Sequence, residues 1–267
     1  MMTPVQFLYH TNTGRALLPF LTDRRLSRLC GSFLDSPASA FLIPGFVKRA
    51  GIDLSEFETE NMKSFNDCFS RKIRDGLRPV CEDPDALIAP CDGLAKAFPI
   101  REDTVLHVKE CSYTVSSLLG NAHLAARFEG GVCLVFRLCV NHYHRYCYIE
   151  SGRASRNVFL PGVLHTVRPD ALDVFPVFAQ NCRSYTLIRT RTAGTVLQME
   201  VGAMLVGRIR NHYEERDVVR GLEKGYFQYG GSTVIVLLQK GKGPSLERYL
   251  EAGRTGTEIP VLMGQRL

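Results

Sequence analysis

The chain has 267 residues, enough for one large domain or two small ones, and a 45% hydrophobic fraction that supplies a substantial core. A net charge of +6 favours acidic surfaces such as anionic lipid headgroups or nucleic acid, but no nucleic-acid-binding signature accompanies it and there is no Trp to stack on bases. Nine cysteines without a CxxC pair read as reduced thiols in a cytosolic setting, no secretory signal is visible, and no apolar run approaches the ~20 residues of a membrane span.

Residues 1–63 read as helical and amphipathic. Leu17, Leu18, Leu21, Leu26, Leu29 and Cys30 recur at roughly helical spacing, with Arg24, Arg25 and Arg28 between them. Ser36-Pro37 breaks the pattern. A second apolar cluster, Phe41-Leu42-Ile43 and Phe46-Val47, is interrupted by Pro44-Gly45 and trailed by Lys48-Arg49. Such faces either pack on a neighbouring domain or lie at a bilayer interface, and the sequence leaves both open.

From residue 64 the texture changes. Phe65 to Arg71 predicts a short helix, and Arg78-Pro79 ends it. Beyond that, strands are expected at Leu87-Ile88, Gly131 to Val140, Tyr185 to Thr190, Thr195 to Val201, Met204 to Val206 and Thr233 to Leu238. Gly and Pro turn signals punctuate them. Ser112 to Leu119 predicts a short helix between strands. After Gly241-Lys242-Gly243-Pro244 a short helix and a loose tail are expected. The fold class is therefore α+β: an N-terminal helical region, then a β-rich sandwich or partly closed barrel over residues 64–267.

Several residues bear chemistry. Asp92, in Ala89-Pro90-Cys91-Asp92-Gly93, is either a turn residue or a carboxylate rigid enough to orient an imidazole. Within Asn141-His142-Tyr143-His144-Arg145-Tyr146, a strand would put His142 and His144 on one face. The pair lacks a third metal ligand marked by spacing, although His165 is a candidate, and no metal is expected. His142 reads as a surface aromatic, whereas His144 suits general acid–base work. His165 follows a turn signal and is a second candidate base. Asn181 and Arg183 are either anion-contacting groups or ordinary loop polarity. In Tyr229-Gly230-Gly231-Ser232-Thr233, two glycines precede a hydroxyl and an apolar strand. This is a hairpin turn, or the Gly231–Ser232 bond is itself a reaction site. Asp92, His144 and Ser232 together would supply a carboxylate, a base and a nucleophile.

An ordered set of blocks resembles the phosphatidylserine decarboxylase family of pyruvoyl-dependent, prokaryotic-type enzymes. The blocks are Phe65-Asn66-Asp67-Cys68-Phe69-Ser70-Arg71 with Arg78-Pro79, Ala89 to Gly93, Tyr143-His144-Arg145-Tyr146, Asn181-Cys182-Arg183, Val201 to Gly207, and Lys224-Gly225-Tyr226-Phe227 followed by Gly230-Gly231-Ser232-Thr233. The resemblance implies self-cleavage at Gly231–Ser232, giving a β chain 1–231 and an α chain 232–267 that stay associated. It implies a pyruvoyl cofactor made from Ser232, which forms a Schiff base with phosphatidylserine and yields phosphatidylethanolamine and carbon dioxide. It further implies catalytic Asp92, His144 and Ser232, a homodimer, and a peripheral place on the cytoplasmic face of the cell membrane. Better-known members carry a second histidine, in a Tyr-His-Arg-x-His pattern, as the cleavage base. Here Cys147 stands in that place. His144 then serves both steps, or His165 or Cys147 substitutes, or maturation is impaired. A pyruvoyl decarboxylase of a soluble amino acid and an uncleaved lipid-binding or scaffold relative are the alternative readings.

Overall fold

The computed structural model describes residues 3–101, 105–108, 111–166, 171, 176–203, 208–228 and 232–267. Four helices open the chain: α1 (Pro4–His10), α2 (Asn12–Leu21), α3 (Arg24–Leu34) and α4 (Ile43–Ala50). Each start has a local cause. The Thr3 hydroxyl accepts from Gln6 N in a capping box, Thr11 accepts from Gly14 N, and Asp23 accepts from Arg25 N. Gly14 lets α2 cross α1 closely, because a Cβ there would lie 2.1 Å from the Phe7 carbonyl oxygen. After α4 come strand β1 (Phe57–Glu58), helix α5 (Phe65–Phe69) and strand β2 (Lys72–Ile73). Ser64 and Asp67 form a capping box on α5, so the predicted short helix is present.

The remaining strands are β3 (Gly93–Pro99), β4 (Val105–Val108), β5 (Cys111–Thr114), β6 (Val132–Leu138), β7 (Arg145–Cys147), β8 (Gly152–Ala154), β9 (Val158–Leu160), β10 (Arg183–Thr190), β11 (Thr195–Val201), β12 (Ile209–Asn211), β13 (Arg216–Val218), β14 (Glu223–Phe227), β15 (Ser232–Leu238) and β16 (Ile259–Val261). Helices α6 (Val115–Leu119), α7 (Ala122–Ala126), α8 (Val177–Gln180) and α9 (Glu247–Thr255) lie between them. A nine-stranded sheet runs in the order β13-β8-β10-β11-β15-β6-β3-β16, with β9 also pairing β10, and a smaller sheet runs β12-β14-β7. All its pairings are antiparallel. The order is open-ended among the described residues, so the large sheet is a layer of a sandwich and not a closed barrel.

Alternation along the strands builds a core on each face. Ile235, Leu237, Leu197 and Met199 join Tyr9 and Leu18 of the N-terminal helices in one core. Val234, Val236, Leu134 and Phe136 join Tyr146 and Phe227 of the small sheet in the other. A third cluster, Leu34, Phe46, Phe65, Cys68 and Phe69, ties α3, α4 and α5 together. The N-terminal region therefore packs one side onto the large sheet. Its other side leaves Phe20, Leu29 and Phe41 more than 70% exposed.

Three expectations shift, and a fourth is not reached by the described residues. Residues 112–114 belong to β5, and the helix begins only at Val115. Ile88 makes an isolated bridge to Arg266 and no strand. The tail after α9 is not loose: β16 pairs with β3, and Leu267 N donates to the Leu87 carbonyl at 3.0 Å. The segment Met204 to Val206 lies outside the described residues.

Candidate active site

Antiparallel register collects one end of the large sheet into a rim. Ser232, the first residue of β15, faces Leu138, the last of β6. Arg137 faces Leu94 on β3, which places Gly93 and Asp92 at the same end. Thr233 faces Val201 on β11, and Val201 faces Arg183 at the start of β10. Segments far apart in sequence thus bring Asp92, the 139–144 turn, Asn181, Gly202 and Ser232 to one edge.

Ser232 is fully buried, and its Oγ has no hydrogen-bond partner among the described residues. Alternation fixes where it points. Val234 and Val236 face Tyr146 and Phe227, so Ser232 faces the space under the small sheet and Thr233 the opposite side. Gly231, the other half of the proposed cleavage bond, lies outside the described residues.

His144 runs beside the small sheet, where Phe227 N on β14 donates to its carbonyl at 2.9 Å. The side chain is sealed from solvent and tilts against the Phe69 ring at 4.0 Å between centroids. Its Nδ1 lies 2.9 Å from the His142 carbonyl oxygen. A carbonyl only accepts, so Nδ1 carries the hydrogen and Nε2 presents a bare lone pair. That Nε2 is buried without a partner. Burial first, and then the nearby Arg71 cation, push the imidazole down to about 3, so it is neutral throughout the physiological range. The side chain is thereby held as a base.

His142 takes the opposite tautomer. Cys139 N donates to its Nδ1 at 3.0 Å, so its Nε2 carries the hydrogen, and His142 N closes the turn by donating to the Cys139 carbonyl. The segment is a turn and not a strand, since β7 begins only at Arg145. The expected His142/His144 face-sharing is therefore absent. Arg71 clamps this turn from below: its Nη2 donates to the Asn141 and His142 carbonyls at 2.9 and 3.0 Å.

Asp92 is buried and gripped. Arg78 donates to it through Nε at 2.9 and 3.1 Å and through Nη2 at 2.7 Å, and Met263 N donates at 2.8 Å. These bonds push Arg78 up. Among the described residues no histidine is hydrogen-bonded to the carboxylate. Its charge favours protonation of His142, against the larger effect of burial, and the His142 carbonyl is the group that orients His144.

The two reserve bases have surroundings unlike those of His144. Burial pushes the Cys147 thiol up to about 12, so it holds its proton near neutrality, and its Sγ lies 3.9 Å from the Ala89 carbonyl oxygen. His165 is buried under α1, where its Nδ1 lies 3.1 Å from the Tyr9 hydroxyl. Asn181 brackets its backbone by accepting from His165 N and donating to its carbonyl, and also donates to the Gly202 carbonyl at 2.7 Å. Arg183 donates to the Leu118, Ser117 and Asn181 carbonyls, so it caps α6 and does not offer itself to an anion. Among the described residues no group of three or more His, Cys, Asp or Glu side chains gathers to hold a metal ion.

Sequence reasoning missed Arg71, Arg78, Met263 and the Lys224–Glu200 pair as members of the site's frame. The last is an ion pair at 2.6 Å with both side chains sealed from solvent, braced by Asn211. Arg71, Arg78 and Lys224 sat inside family-like blocks. Met263 acts through its backbone and has no side-chain signal. Buried side-chain atoms without a partner are rare in folded proteins. Here Arg71 Nε, His144 Nε2, Ser232 Oγ and Thr233 Oγ1 are all of this kind, and all belong to the rim or its support.

The phosphatidylserine decarboxylase family profile matches residues 65–267. The chain is 38% identical, over 98% of its own length and 90% of the relative's, to phosphatidylserine decarboxylase proenzyme 2 of Clostridium acetobutylicum. It is 35% identical, over 98% and 91%, to the phosphatidylserine decarboxylase proenzyme of Clostridium novyi. It is 36% identical, over 98% and 90%, to that of Clostridium botulinum strain 657.

Proposed function

The chain belongs to the phosphatidylserine decarboxylase family, and from that premise we propose that it cuts itself at Gly231–Ser232, makes a pyruvoyl group from Ser232, and converts phosphatidylserine to phosphatidylethanolamine and carbon dioxide. The observation that carries this reading is that Ser232 Oγ and His144 Nε2 are both sealed from solvent and both without a hydrogen-bond partner among the described residues. A hydroxyl and a bare imidazole nitrogen are the nucleophile and base that the cleavage needs.

His144 Nε2 takes the Ser232 hydroxyl proton, and Oγ attacks the Gly231 carbonyl. The peptide bond gives way to an ester, and the Ser232 nitrogen becomes a free amine. Loss of the Ser232 Cα proton then expels the Gly231 carboxylate as the end of the β chain. The dehydroalanine left behind tautomerises, and water releases ammonia to leave the pyruvoyl group. The buried, unpartnered position of Ser232 fits such a group, with Tyr146 and Phe227 excluding bulk water above it. When present, the pyruvoyl carbonyl supplies an electrophile for the substrate amine and a sink for the electrons released with carbon dioxide. Arg78 and Met263 N hold the Asp92 carboxylate in place at the rim.

The cut chains are expected to stay together. β15 is flanked by β11 and β6, so severing its N-terminal bond leaves both ladders intact. The N-terminal helices supply the surface for a peripheral place on the cytoplasmic face of the membrane. Phe20, Leu29 and Phe41 are exposed beside Arg25, Arg28, Lys48 and Arg49, a mix suited to an anionic lipid interface. Arg25 and Arg28 line a hollow of about 400 Å³ with Thr22, Asp23 and Gly162, two cations against one carboxylate. Among the described residues no helix is long and apolar enough to cross a membrane.

Incubating the purified protein with vesicles containing phosphatidylserine tests the reading. Phosphatidylethanolamine should form with wild-type protein and not with Ser232→Ala. Free serine decarboxylated as fast as the lipid, or lipid turnover that survives Ser232→Ala, would overturn it.

A further inference from the structure

Arg71 has no carboxylate paired with it among the described residues, although it is only 2% exposed. Its donors go to carbonyls: Asn141 and His142 at 2.9 and 3.0 Å, with longer reaches to Cys68 and Phe69 at 3.4 and 3.5 Å. The guanidinium lies 4.4 Å over the Phe57 ring, and its Nε has no partner. Holding a cation in such a place is costly unless it acts on something.

What it acts on is the histidine pair. The His142 carbonyl oxygen accepts from Arg71 Nη2 and from His144 Nδ1, at 3.0 and 2.9 Å. That oxygen has two lone pairs, one for each donor. Polarised by the guanidinium and pinned by the Cys139–His142 turn, it stays where His144 needs an acceptor. We propose that Arg71 is a positioning residue for self-cleavage: by fixing the His142 carbonyl it keeps the hydrogen on Nδ1 of His144 and leaves Nε2 bare for Ser232. This rests on the proposed cleavage chemistry.

The charge works in the same direction. The charged or titratable groups acting on His144 are Arg71 and His142, and both oppose a second proton on the ring. Asp92 acts on Arg71 and His142 and is not among the groups acting on His144. A role through the shared carbonyl also explains why no carboxylate is needed behind His144. A wrong tautomer would turn Nε2 from an acceptor into a donor, with nothing left to take the Ser232 proton.

The test uses the full chain with Arg71→Met and Arg71→Lys. Self-cleavage, followed by intact mass over time and across pH, should slow by about tenfold to a hundredfold in Arg71→Met. Its acid limb should move to higher pH, because the cation that opposed protonation of His144 is gone. Arg71→Lys keeps the charge and one donor and should recover part of the rate. In a Ser232→Ala background, nitrogen-15 histidine spectra should show His144 with hydrogen on Nδ1 in the parent and on both nitrogens in Arg71→Met, with His165 unchanged as the control for the fold. Wild-type cleavage in Arg71→Met would overturn the proposal. So would slowed cleavage with an unaltered His144 tautomer and pH limb, which is the mark of a purely structural arginine. If Arg71→Met does not fold, the same two readouts in Arg71→Lys decide, where an unaltered limb and tautomer refute. An uncleaved wild type would refute the function reading, while the spectra would still judge Arg71.

Discussion

Replacing His144 should change how stability depends on pH, and the size of the effect follows from its burial. The comparison is between Ser232→Ala and Ser232→Ala/His144→Gln, both single uncut chains. In the folded protein the imidazole is pushed down to about 3 by burial and by Arg71. In the unfolded chain it titrates near ~6.5. Below that value the unfolded state binds a proton that the folded state refuses. The group's contribution is therefore flat above pH ~6.5 and is lost progressively as pH falls from ~6.5 towards ~3. At pH ~4.5 the chain is two units below the unfolded value, and at ~1.4 kcal/mol per unit the loss is about 3 kcal/mol. Urea unfolding at pH ~7.5 and ~4.5 measures it. The parent should lose about 3 kcal/mol more than the glutamine variant between the two. His165 is also buried and pushed down to about 4, but it is present in both proteins and cancels. Equal pH dependence in the two proteins would mean that His144 takes up protons freely in the folded state. The argument for a permanently neutral base would then fail.

Other consequences concern the frame around that base. His144→Ala should abolish or strongly slow self-cleavage on a gel, whereas cutting at the wild-type rate would remove it from the chemistry. Cys147→Ala should still cleave within about twofold of wild type, because a thiol pushed up to about 12 holds its proton at neutral pH; a tenfold loss would show the thiol taking part. Arg78→Ala strips Asp92 of three of its bonds and should cost about 3 kcal/mol by denaturant unfolding, since the carboxylate stays buried without its counterion. Lys224→Met alone should destabilise by about 3–5 kcal/mol, and adding Glu200→Leu should recover much of that, because an orphaned buried charge is worse than no pair.

Ser232, Asp92 and His144 were legible because each sits in a short local pattern whose residue types suggest a role. The helical start and the main strands β6, β10, β11 and β15 were legible for a similar reason: their apolar periodicity is local. What was not legible depends on register. Ser232 meets Leu138 across 94 positions of chain, and only the antiparallel pairing brings the 139–144 turn beside it. The tail looked loose because Ile259–Val261 is too short to announce a strand, yet it closes an edge of the sheet and delivers Met263 N to Asp92. His142 and His144 looked like alternate residues of a strand. The Cys139–His142 hydrogen bonds instead bend the chain into a turn that gives the two rings opposite tautomers. The Lys224–Glu200 pair was invisible because two single charges in β-patterned segments read as solvent-facing until both strands are placed in space. Cys147 stands out in the sequence only against the expected family pattern, and its burial could not be read from the residues around it.

The central claim is that Ser232 becomes the N-terminal group of a second chain. Intact mass spectrometry of the freshly purified protein tests it most directly. The account predicts two species, one ending at Gly231 and one covering residues 232–267 that is lighter by one ammonia than its sequence and resists N-terminal sequencing. A single full-length chain, or a fragment beginning with an unmodified serine, would contradict it.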